Sequence, residues 1–230
     1  MKKQLTALAL LLAFVPTLHA QDEQAPGAMD PEAEGLEKVR GKFSETWVNP
    51  NADFSQYDKL LFGEAEFQFR DVGPAQRYRT STLRTGSKSE FGVPEEEQKK
   101  FEEVVAEAFD KEMSRSKKFD VVNDAVPGTL LIEGAVLDIV SHVPPEMVGR
   151  SNTYLASIAT ATLVLEIHDA ITGETLAYVE ERRKITPPGG NRIDSFSMPT
   201  SSVTVWADIS RWARSAASRL RSGLEKAQKG

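Results

Sequence analysis

Apolar and polar positions alternate along some stretches of this chain and recur at helical spacing along others. In "KLLFGEAEFQF", residues 59–69, Leu61, Ala65, Phe67 and Phe69 fall on one side and Glu64, Glu66 and Gln68 on the other, the period-two pattern of a strand with one buried face. From Pro94 to about Lys118 the spacing becomes three and four, with Phe101, Val104, Val105, Ala108, Phe109 and Met113 in one stripe, which predicts an amphipathic helix. Pro94 suits its first turn, and Glu95, Glu96 and Glu97 are favoured at the positive end of its dipole. A short strand follows in "FDVV", 119–122, then a longer one in "TLLIEGAVLDIVSHV", 129–143, rich in β-branched residues. "SIATATLVLEIHD" puts Ala159, Ala161, Leu163, Leu165 and Ile167 on one face and Thr160, Thr162, Glu166 and His168 on the other. "ETLAYVEERRKI" returns after "DAITGE", where Asp169 and Thr172 can bond the turn backbone and Gly173 can take a positive φ. The pair His168–Asp169 therefore reads as the mouth of a hairpin rather than as catalytic machinery.

The last element is a helix from about Val203 to Lys226. Trp206, Ile209, Ala213, Ala216, Leu220 and Leu224 form its stripe, Thr200, Ser201 or Ser202 is its N-cap, and Arg211, Arg214, Arg219, Arg221 and Lys226 form a solvated face. This order predicts an α+β fold: a mainly antiparallel β-sheet of about four to five strands with two helices packed on one face. Counting directions, 59–69 and 119–122 run up, and 129–143, 157–168 and 175–185 run down, up and down. The connections 144–156 and 186–202 then share one end of the sheet, and 70–93 lies at the other with the "DAITGE" turn.

Ahead of this domain, "MKKQLTALALLLAFVPTLHA" combines Lys2 and Lys3, an apolar run from Leu5 to Val15, and Ala20 before polar residues, the layout of a secretory signal peptide. The run is shorter than the ~20 residues of a membrane span. Residues 1–20 are expected to be removed near Ala20, leaving a periplasmic or secreted protein without a transmembrane segment. Residues 21–42 mix Pro, Gly, Ala and acids without an apolar period and read as a flexible leader; residues 43–230 read as one domain. Without Lys2 and Lys3 the net charge becomes −8 rather than −6, which argues against nucleic-acid binding.

The chain has no cysteine, which removes disulfides, thiol catalysis, thiolate metal sites and the lipid-bearing Cys of a lipoprotein. Past the signal segment the histidines are His142 and His168, no serine lies in a G-x-S-x-G turn, and "PPGGN" at 187–191 has no Lys then Ser or Thr. No catalytic residue, cofactor or metal is expected; His168 reads as a surface histidine, since one imidazole makes an incomplete metal site.

The segments "WVNPNADFSQYDKLLF", "FDKEMSRSKKFDVV" with "PGTLLIEGAVLDI", "LVLEIHDAITGETLAYVEERR" and "VWADISRWARSAASRL" resemble, in that order, a bacterial envelope family of unknown function, DUF3313, whose members are described as lipoproteins. The resemblance covers roughly residues 45–225 and implies an envelope location but no established activity and no site residues. Because the lipidation Cys is missing, no lipid anchor is expected.

Packing leaves three long connections unexplained, and loops of this length are often functional. Met147, Arg150 and Tyr154 in one, and Arg192, Phe196 and Met198 in another, are residue types enriched at binding surfaces, and they make the candidate partner-binding surface. The expected role is a non-enzymatic envelope module that binds another envelope protein or a cell-wall component. The alternative is a carboxylate-dependent hydrolase or transferase using acids such as Glu133, Asp138 or Glu166, which requires two acids converging in a cleft with raised pKa values.

Overall fold

The structure, a computed structural model, describes residues 29–72, 90–144, 155–188 and 200–229. Its sheet is built from β1 (Glu37–Lys38), β2 (Glu45–Val48), β3 (Lys59–Phe69), β4 (Asp120–Val121), β5 (Thr129–Ser141), β6 (Ala159–Asp169) and β7 (Thr175–Ile185), with helices α1 (Glu95–Met113) and α2 (Ser202–Ala227). The fold class is α+β as expected, but the sheet has seven strands, in the order β1-β2-β7-β6-β5-β3-β4, rather than four to five. It is also mixed: β3 pairs parallel with both β4 and β5, and the remaining pairs are antiparallel.

The parallel β3–β5 pair corrects the direction of every later strand. Lys59 faces both Asp120 of β4 and Thr129 of β5, so the chain leaves β4, passes beneath the start of β3 and begins β5 at the same level. Gly128 makes this possible. Its φ is +81°, its carbonyl accepts the backbone N–H groups of Asp58 and Lys59, and a Cβ there would meet the Gln56 carbonyl at 3.2 Å. β3, β5 and β7 therefore point the same way.

Both helices lie on one face of the sheet. Phe101, Val105, Ala108 and Met113 of α1 and Ile209, Trp212, Ala213, Ala216, Leu220 and Leu224 of α2 are buried with Leu60, Ile132, Val136, Ile139, Leu163, Leu165 and Val179 in one apolar core. The Phe101 ring sits edge-on to Phe67 and Phe69, at centroid distances of 6.2 and 5.8 Å, the favoured geometry for aromatic pairs. Ser201 caps α2 in a reciprocal box with Thr204.

Bulges in β3 and β5 reset the alternation the sequence displays. β3 places Gly63 and Glu64 opposite the single residue Glu133, so Leu60 and Phe62 precede the bulge on the core face and Phe67 and Phe69 follow it; Leu61 is not in that set. β5 bulges at Asp138, whose φ is +53°.

Part of the expected flexible leader is packed. Residues 31–35 turn, Leu36 is buried on the sheet face opposite the helices with Ala135, Val164 and Tyr178, and β1 pairs with β2. Nor are Arg219 and Arg221 part of a solvated face. The Arg219 guanidinium donates to both carboxylate oxygens of Glu181, at 2.8 and 2.6 Å, and Arg221 donates to Glu112 at 2.9 Å. No helix among the described residues is long and apolar enough to cross a membrane.

Candidate functional site

The strand directions gather the described ends of all three long connections at one end of the sheet. Phe69 lies beside Ile139, Phe91 exchanges backbone hydrogen bonds with Ser141, and the Ile158 N–H donates to the Ile185 carbonyl. The connections 144–156 and 186–202 share an end, as the direction count expected. The connection 70–93 joins them there, because β5 runs parallel to β3, and the "DAITGE" turn lies at the far end, where Asp169 faces Leu130. At this rim a cavity of about 260 Å³ opens between the helices and the sheet, lined by Phe101, Ile139, Val143, Pro144, Ile158 and Trp206 among others. Lys100 lies over the Trp206 ring at 4.7 Å. Met147, Arg150, Tyr154, Arg192, Phe196 and Met198 lie outside the described residues.

On the sheet face away from the helices, two charged clusters occupy opposite ends. At the rim end the β5 bulge turns Asp138 toward Arg70, whose Nε and Nη2 donate to its two oxygens at 2.5 Å each, and toward Arg182, which also donates to Oδ2. Arg70 reaches Glu90 as well, at 2.8 Å. The Arg70 hydrogen bonds, against a smaller opposing effect of burial, hold the Asp138 carboxyl down at about 2. A positive φ is tolerated by Asp better than by most residues, and it aims this carboxylate between two guanidinium groups.

At the turn end, Glu133 of β5 and Glu166 of β6 are direct cross-strand partners. His168 stands two residues beyond Glu166 on the same face. Its Nε2 lies 3.5 Å from a Glu133 oxygen and 3.6 Å from a Glu166 oxygen, and its Nδ1 lies 3.3 Å from the Thr175 hydroxyl. The His168 side chain is 12% exposed, Glu166 9% and Glu133 36%, so His168 is not the surface histidine its strand position suggested. Gly63 faces this site: a Cβ there would come within 3.0 Å of Glu133 Cγ, so the glycine leaves the glutamate its room. The neighbouring hairpin is as expected. Asp169 Oδ1 accepts from the N–H groups of Ile171 and Thr172, Gly173 has φ +72°, and Tyr57 donates to Asp169 Oδ2 at 2.8 Å. His142 lies elsewhere, its Nε2 3.0 Å from the Thr160 hydroxyl.

Of the acids suggested for catalysis, Glu133 and Glu166 thus converge and Asp138 does not join them. Arg70 and Arg182 escaped the sequence reading. They come from strands that β5 and β6 separate, and no local pattern links them. Glu166 and His168 were visible as an i, i+2 pair on a polar face; Glu133 required the β5–β6 register, which a long connection leaves open.

Residues 32–219 match the sequence profile of "Protein of unknown function (DUF3313)", and the chain belongs to that family. No curated protein matches. Among solved structures the chain is similar to a neuraminyllactose-binding hemagglutinin homolog from Helicobacter pylori (13% identity, 77% of this chain and 90% of that one, TM-score 0.36). It is similar also to protein XCC0632 from Xanthomonas campestris (14%, 83% and 93%, TM-score 0.35) and to the PelC dodecamer from Paraburkholderia phytofirmans (10%, 82% and 95%, TM-score 0.33). With TM-scores this low, no property of these proteins transfers to the chain.

Proposed function

We propose that this member of the DUF3313 family is exported to the cell envelope and acts there as a non-enzymatic module that binds another envelope protein or a cell-wall component. The observation that carries this reading is the convergence of three long connections on one end of a rigid sheet, around an apolar cavity edged by Trp206, Val143 and Pro144. Binding residues commonly sit on loops positioned by such a scaffold. The connections bearing Met147, Arg150, Tyr154, Arg192, Phe196 and Met198 start and finish at this rim, and so does the one bearing Arg77 and Arg79.

The carboxylate-enzyme alternative is the weaker reading. Arg70 lowers the Asp138 carboxyl, where a general acid needs a raised one. Glu133 and Glu166 meet on a sheet face, and the rim cavity is lined by other residues.

The test compares charge reversals at the rim, Arg150→Glu, Arg192→Glu and Arg77→Glu, with Ile171→Glu at the opposite end, where Ile171 is 57% exposed. Each tagged protein is cross-linked in cells, fractionated and scored for the product that the unaltered chain gives. Loss from the rim variants with retention in Ile171→Glu supports the reading. Loss from Ile171→Glu alone, or recovery of unprocessed chain in carbonate-washed membranes, overturns it.

A further inference from the structure

Two helices do not cover a sheet of this width. Strands about 4.8 Å apart spread its seven strands over roughly 29 Å, whereas two helices packed side by side, each about 10 Å across, cover roughly 20 Å. α1 packs on α2 and α2 on β7, and beyond α2 the sheet continues through β2 and β1. There it opens into a groove of about 680 Å³. The floor is apolar, made by Val48, Phe54, Ile167 and Val179 with Leu220 and Leu224 of α2. Small-molecule sites commonly have volumes of about 300–1,000 Å³, mostly apolar walls and a few polar groups.

The polar groups of this groove carry one dominant sign. Arg40, Lys42, Arg219 and Lys226 line it, with Glu37 as the acid of the lining. Arg219 is already bonded to Glu181. Arg40, Lys42 and Lys226 are exposed, and among the described residues no carboxylate pairs with them. Lys42 is held against α2: its ammonium donates to Ser222 Oγ at 2.6 Å, and its carbonyl accepts from Arg219 at 3.1 Å. Lys226 follows Ser222 by one helical turn. The chain as a whole has a net charge of −6, so this positive group runs against its composition.

α2 also keeps a side chain out of the groove. Gly223 lies within the helix and lines the groove, and a Cβ added there would meet nothing within 4 Å. Glycine is unfavourable inside a helix, and neither a positive φ nor a close neighbour requires it at this position. What it leaves is open space between Arg219 and Lys226.

We propose that this groove binds an anionic lipid, with an acyl chain along the apolar floor and the anionic head group held by Arg40, Lys42 and Lys226. A peptide would bring amides that need partners, and the strands of the floor already pair with one another. A hydrocarbon chain brings none. Ammonium and guanidinium groups both bind carboxylate and phosphate heads, while the apolar floor gives a free inorganic anion nothing to bury. The groove stands apart from the rim, and the proposal does not rest on the role proposed there.

The experiment strips the purified chain of co-purified lipid and titrates it with myristate, below its micellar concentration, by calorimetry. One myristate per chain with a Kd of about 10 μM or tighter is expected. Laurate, two methylenes shorter, should bind about 10-fold more weakly, and inorganic phosphate should not compete. Gly223→Leu fills the groove with a helix-favouring side chain; it should weaken binding at least about 10-fold without lowering Tm. Lys42→Gln and Lys226→Gln should each weaken binding about fivefold, with Lys111→Gln on α1 unchanged. Absence of saturable binding to the unaltered chain overturns the proposal and leaves the groove to a protein segment. Equal affinity for laurate and myristate, competition by inorganic phosphate, or undiminished binding to a folded Gly223→Leu also overturns it. If Gly223→Leu fails to fold, the exposed lysines decide: unchanged affinity in the Lys42→Gln, Lys226→Gln double variant is equally fatal.

Discussion

On the face of the sheet that the helices leave uncovered, the rim cluster and the turn cluster handle the same problem in opposite ways. At the rim, one carboxylate, Asp138, is met by two arginines, and the bonds are short and directional. At the turn, two carboxylates, Glu133 and Glu166, meet one histidine at distances too long for hydrogen bonds. The first arrangement is electrostatically complete within the chain and needs nothing further. The second brings two carboxylate oxygens and a ring nitrogen within 4.8 Å of one another. The geometry of a charged cluster on a sheet face therefore follows the basic group in it: a guanidinium offers a planar fork of donors that grips a carboxylate, while an imidazole offers one nitrogen to each side.

The largest effect is expected where an arginine answers a deeply buried acid. Arg219→Met leaves Glu181, whose side chain is 10% exposed, without its bidentate partner, and should cost about 3 kcal/mol in urea unfolding, as for a broken buried pair. A cost under about 1 kcal/mol would show that arginine matching is not what stabilises these acids. Next comes Asp138→Asn, which keeps a residue tolerant of positive φ and removes only the charge. It should cost about 1–2 kcal/mol, the lower figure allowing for solvent screening of a carboxylate that is 34% exposed. Glu133→Gln should do the reverse, stabilising the protein by up to about 0.5 kcal/mol through relief of its repulsion with Glu166 directly opposite. If both variants destabilise equally, the two clusters are not different in kind.

The smallest effect is the most specific to mechanism. Because the folded-state carboxyl of Asp138 is lowered from 3.8 to about 2, its contribution is fully present above pH 4 and is lost as the pH falls through 2. The stability difference between the unaltered chain and Asp138→Asn should therefore stay constant from pH 7 to 5 and close between pH 4 and 2. A gap that persists at pH 2 would assign the effect to shape rather than charge.

Much of the fold was legible in the amino-acid order. The stripe Phe101, Val105, Ala108, Met113 and the stripe Ile209, Ala213, Ala216, Leu220, Leu224 are buried as their spacing required, because a helix has a single period and its buried side follows from it. The strand spans 59–69 and 175–185 and the Asp169–Gly173 turn are equally local. Less legible were β1 and β2, too short to show alternation, and the phase of β3, where the Gly63–Glu64 bulge moves the core-facing positions by one residue.

The sequence by itself determined the helices, the long strands, the hairpin and the family, all of which rest on patterns within a few turns of chain or on the order of whole segments. Only the tertiary structure decided that β5 runs parallel to β3. That choice rests on how the chain from β4 passes Gly128 beneath the start of β3, and it brings all three long connections to one end. The β5–β6 register, likewise, placed Glu133 beside Glu166 and His168. Residues far apart in the chain meet through backbone pairing, and side chains that alternate with period two carry no mark of which partner residue will stand opposite.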